Sequence, residues 1–100
     1  MQMTLFADTH HEKARVFDEV NPWVMHQFAQ MAMRLKANGV QRFGMQALFE
    51  TLRYQVATTR DPLSEFKLNN NYAAWYAREI MRRYPNLEGF FEIRRSEADK

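Results

Sequence analysis

One hundred residues, 46% of them hydrophobic and including eight Phe, four Tyr and two Trp, suit a single domain with a real core and leave little room for a second. The absence of cysteine excludes a disulfide framework and a thiolate metal site, and fits a reducing compartment. No apolar run approaches the roughly 18–20 residues that a membrane span needs, so no membrane partner is expected. The net charge of +2 conceals an asymmetry: residues 1–33 carry two basic against four acidic side chains, 34–83 nine against four, and 84–100 three against four. Ten of the fourteen basic residues are arginine, the side chain suited to bidentate phosphate or carboxylate contacts. Either a polyanion or an acidic protein face is the expected partner, or the charge is an ordinary solvated surface.

The N-terminal MQMTLFADTHHEKAR has no basic head and no long apolar stretch. No secretory signal is read there, and a cytoplasmic protein is expected. Residues 1–10 lack periodicity and are expected to form a loose arm; residues 11–95 form the domain and 96–100 a solvated tail. A short first helix over 11–20 would turn Ala14 and Phe17 to a neighbour. Asn21-Pro22 then opens a second helix, with asparagine as N-cap and proline where its missing N–H costs nothing. Val24, Phe28, Met31, Ala32 and Leu35 mark its apolar stripe, and Asn38-Gly39 ends it near Ala37.

Residues 40–43 alternate like a short strand. A third helix over 45–58 carries Met45, Leu48, Phe49, Leu52 and Val56 on one face, and Asp61-Pro62 breaks the chain after it. The fourth helix spans 72–84 and stops before Pro85, with Tyr72, Ala73, Tyr76, Ala77, Ile80, Met81 and Tyr84 inward. Residues 90–94 form the second strand candidate, with Phe91 and Ile93 on one face. The fold class expected is mainly α: a compact bundle of about four helices with a short strand pair. The order helix, strand, helix, helix, strand matches a winged helix-turn-helix, although about a dozen residues separate the last two helices, where that motif takes three or four.

Asn71, Trp75, Arg78 and Arg82 fall at i, i+4, i+7 and i+11, opposite the buried side of the fourth helix. On a recognition helix, asparagine pairs with adenine and arginine with guanine or phosphate. Asn69 and Asn70 stand at its head, where N–H groups face a phosphate, and Arg53 and Arg60 would assist. The alternative is structural: the asparagines cap the helix and its turn, Trp75 is core, and Arg78 and Arg82 line a wet face beside Glu79, which pairs with Arg83.

Catalytic chemistry has little footing. His10, His11 and Glu12 lack a ligand spacing such as HExxH, and His26 stands alone. The three glycines are well apart, and Ser64 and Ser96 have no histidine nearby in sequence. Asp18 and Glu19 are adjacent, so on a helix they point apart. No enzyme, cofactor or metal is expected.

The segment FKLNNNYAAWYAREIMRRYPNLEGFFEIRR, preceded by FDEVNPWVMHQFAQMAMRLKANGVQRFGMQALFETLRY, resembles a group of small bacteriophage and prophage proteins. The resemblance covers Phe17 to Arg95, and its most specific parts are FKLNNNYAAWYAR and GFFEIRR. It brings no catalytic or binding residues with it. It implies a phage product in the cytoplasm of an infected bacterium, where such proteins are often regulators of transcription or inhibitors of host proteins, defence systems included. Two functions are therefore expected in competition. One is a nucleic-acid-binding accessory or regulatory protein acting on DNA through the fourth helix. The other is an interaction protein that occupies a host protein or defence complex, or pairs as a homodimer, through an aromatic patch built from Trp23, Trp75 or Phe90.

Overall fold

The computed structural model describes residues 9–59 and 66–92. Among the described residues four α-helices carry the fold: α1 (Thr9–Val20), α2 (Pro22–Ala37), α3 (Met45–Thr59) and α4 (Ala73–Arg83). Short 3₁₀ turns at Asn70–Tyr72 and Pro85–Leu87 bracket α4. The protein is mainly α, as its periodicity indicates. Arg60, Asp61, Pro62, Ser64 and residues 93–100, which include Ile93 and Ser96, lie outside the described residues, as do residues 1–8 of the expected arm. The helix at the N-terminus begins at Thr9, inside that arm.

Local chemistry sets the helix ends. Pro22 occupies the first turn of α2, but Asn21 does not cap it with its side chain. The Asn21 carboxamide instead donates backwards to the Phe17 carbonyl at 3.1 Å, and its backbone N–H joins it at 2.8 Å. It closes α1 rather than opening α2. At the other end, Gly39 takes φ +94, its N–H meets the Lys36 carbonyl, and the Val40 N–H meets that of Leu35, both at 3.0 Å. These two bonds make a Schellman ending, which needs the left-handed conformation that glycine allows. Helix α4 stops at Arg83 because Tyr84, ahead of Pro85, is extended at φ −121, ψ 91.

The core lies where α2, α3 and α4 meet. Val24, Met25, Phe28, Ala29 and Ala32 enter from α2, Met45, Leu48, Phe49 and Leu52 from α3, and Tyr76, Ala77 and Ile80 from α4. The Phe28 and Phe49 rings stack at 5.0 Å, and Tyr76 stands edge-on to both at 5.3 and 6.0 Å. Such packing adds about 0.5–1.5 kcal/mol per pair beyond the area buried. Leu68, Leu87, Phe90 and Phe91 complete the cluster. Met25 and Ala29 widen the stripe read on α2, because α1, α3 and α4 all pack against this helix.

The expected strand pair reduces to one parallel bridge between Phe43 and Phe91, with the Phe43 N–H on the Phe90 carbonyl at 3.1 Å. Phe90 and Phe91 are both buried, so alternation in and out does not hold here: this short segment is covered on two sides. A parallel bridge between residues so distant in sequence is not a hairpin, and no wing forms among the described residues. Nor do α3 and α4 form a helix-turn-helix, since α3 ends at Thr59 and α4 starts at Ala73.

Candidate functional site

The three consecutive asparagines ahead of α4 divide the work among them. Asn69 caps the 3₁₀ turn: its Oδ1 accepts from the Asn71 backbone N–H at 2.8 Å. Asn70 is tied to α3, its Oδ1 accepting from the Arg53 guanidinium. The same Arg53 Nη2 reaches the Leu68 carbonyl at 2.7 Å, and Nη1 reaches Glu50 at 3.1 Å. Arg53 therefore staples the segment before α4 onto α3. The Asn70 side-chain oxygen is taken up in that knot and the Asn69 oxygen in the cap. Asn71 is exposed at the head of the helix, and no hydrogen bond of its side chain is seen among the described residues.

Along α4 the expected stripe is present. Asn71, Ala74, Arg78 and Arg82 are exposed, and Trp75 is half-buried at their side. The indole stands perpendicular to the Tyr76 ring at 5.1 Å and packs on the core. Of the other two patch residues expected, Phe90 is buried and Trp23 is half-buried against the core. Arg60 lies outside the described residues.

Electrostatics divide the stripe. Arg82 grips Glu79 through Nε at 3.2 Å and Nη2 at 2.8 Å, and Arg83 Nε shares the same carboxylate at 2.8 Å. The Arg82 hydrogen bond is the main reason the Glu79 carboxyl lies below its ordinary range, with Arg83 adding to it against partial burial. Arg83 Nη2 also reaches Asp18 Oδ2 on α1 at 3.3 Å. Arg82 must therefore exchange an internal carboxylate for any external anion.

An open groove of about 480 Å³ runs beside the stripe, lined by Gly44, Met45 and Gln46 at the start of α3, by Ala73, Ala74 and Ala77 of α4, and by Glu92. Small side chains on α4 leave this space. Sequence reading missed the groove, the Arg53 knot and the Asp18–Arg83 contact, all of which join residues distant in sequence. The run of three asparagines was the one local signal that this segment makes more than one kind of polar contact.

His10, His11 and Glu12 sit exposed on the first turn of α1, and no metal-capable group of three side chains gathers among the described residues. No helix among the described residues is long and apolar enough to cross a membrane. These features define a small four-helix domain with an arginine-bearing helix face beside a shallow groove. Comparison with known protein families, curated proteins and solved structures finds no match.

Proposed function

We propose that this protein is a non-catalytic, phage-type accessory or regulatory protein that binds DNA through the outer face of α4. The supporting observation is that Asn71, Arg78 and Arg82 emerge exposed along one side of that helix. Guanidinium groups suit phosphate oxygens because planar, charged N–H donors match them in pairs. With Asn69 and Asn70 committed to the fold, base reading falls to Asn71, so backbone contact dominates and sequence selectivity is low. Binding through phosphates releases counterions and weakens steeply with salt. The test is fluorescence anisotropy with a labelled duplex over rising salt. The parent should lose affinity steadily, and the Arg78→Ala/Arg82→Ala double variant should lose binding while melting normally. Equal binding by the double variant would refute the proposal.

A second reading, an interaction protein that occupies a host protein, is favoured by the outer side of α1. Val16 is 45% and Val20 72% exposed, next to a groove lined by Phe17 and Tyr72. If this reading holds, Val16→Asp/Val20→Asp abolishes partner capture and leaves duplex binding unchanged; capture that survives the change sinks it.

A further inference from the structure

Helix α1 is attached unlike the others. Of its residues with described side chains only Ala14 and Asp18 are buried, whereas α2, α3 and α4 each bury large apolar side chains. Phe17 adds half-buried ring contacts to Phe66 and Tyr72 at 5.9 and 5.5 Å. An alanine contributes little apolar area, so the apolar grip of α1 depends chiefly on one half-buried ring.

That carboxylate is poorly served. Asp18 is 8% exposed, and its ion pair to Arg83, the one it makes among the described residues, is long at 3.3 Å, where a charge-assisted bond is about 2.7–2.9 Å. Among the described residues its Oδ1 is buried without a hydrogen-bond partner, and so is the Tyr76 hydroxyl on α4. The two groups are close enough that the Asp18 charge adds to burial in pushing the Tyr76 phenol above its usual range. Burial likewise outweighs Arg83 in raising the Asp18 carboxyl, with Glu79 and Glu19 adding repulsion. Two unpaired buried polar atoms at one contact oppose docking, and a buried ion pair with imperfect geometry does not offset them.

A joint is present as well. Asn21, at φ −126 and ψ 63, is the one non-helical residue between α1 and α2, and Pro22 has no N–H to continue the ladder.

We propose that α1 is a hinged flap, which undocks as a unit about Asn21 from a core formed by α2, α3 and α4, with the Asp18 contact as its weak latch. Undocking uncovers Phe66, Tyr72 and the Tyr76 hydroxyl, and releases the Arg83 guanidinium from Asp18. The flap goes beyond the DNA-binding reading and does not depend on it. Once free, a 12-residue helix is marginal in water and frays, so amide hydrogen exchange under native conditions reports the opening.

The α1 amides should exchange at least about tenfold faster than the buried turns of α2 and α4. Asp18→Asn removes the poorly compensated buried charge, so it should slow α1 exchange about fivefold and leave α2–α4 unchanged. Arg83→Ala strands the carboxylate and should speed α1 alone, by about tenfold or more. Exchange of α1 in step with the other helices in the unaltered protein would overturn the proposal. So would Asp18→Asn that leaves α1 unchanged or speeds it, or Arg83→Ala that speeds all four helices alike.

Discussion

Helices α1 and α4 have nearly the same length, 12 and 11 residues, and both are strongly charged, yet they are held in opposite ways. Helix α4 is the hub: α1, α2 and α3 all contact it, and it inserts Tyr76, Ala77 and Ile80 into the core. Helix α1 inserts an alanine and a carboxylate. The difference shows that the outward charge on α4 rests on a secure apolar anchor. The charge turned inward on α1 has no such anchor and works against its own docking.

The largest expected effect tests the hub. Tyr76→Ala should cost about 3–5 kcal/mol in chemical denaturation, because a fully buried ring leaves a cavity against Phe28 and Phe49. Phe17→Ala on α1 should cost clearly less. Equal losses would erase the contrast between the two helices.

A middle-sized effect concerns the knot at the head of α4. Arg53→Ala should cost about 1–2 kcal/mol by removing its bonds to Leu68 and Asn70 from a partly exposed site. Duplex affinity should be nearly unchanged, since Arg53 faces the protein's own backbone. A salt-titrated anisotropy series that shows a large loss would return Arg53 to the binding face.

The smallest effect is in pH dependence, and the two carboxylates act with opposite sign. Glu79 has a lowered folded pKa, so its stabilisation is present above the ordinary value of about 4.5 and is lost as pH falls through the lowered one. Asp18 has a raised folded pKa, so its cost is present at neutral pH and is relieved as pH falls through the raised value towards the ordinary one. In melting curves between about pH 3 and 7, Glu79→Gln should flatten the acid loss and Asp18→Asn should steepen it. Both variants tracking the parent would show that neither carboxylate shapes the acid limb.

Much of this was legible in the sequence, for local reasons. Pro22 and Asn38-Gly39 fix both ends of α2 through backbone geometry, and Tyr84-Pro85 fixes the end of α4. The stripe of Asn71, Trp75, Arg78 and Arg82 follows from the helical repeat alone. What stayed hidden depends on chain separation. Nothing near Asp18 announces Arg83, 65 residues on, nor does anything near Arg53 announce the Leu68 carbonyl. The side chain of Asn21 could cap either neighbouring helix, and position alone does not choose between them. The 90–92 segment defeated the alternation rule because cover on two sides depends on which elements flank it.

The bridge between Phe43 and Phe91 bears on how the protein is made. It closes a long stretch that contains α3 and α4, and such closures wait for the local helices within them. On a ribosome, α1 to α4 can coil before Leu87, Phe90 and Phe91, all buried, are added. Until they emerge, the nascent domain has an uncovered greasy floor, and a shield at the exit tunnel would be most useful to it during that interval.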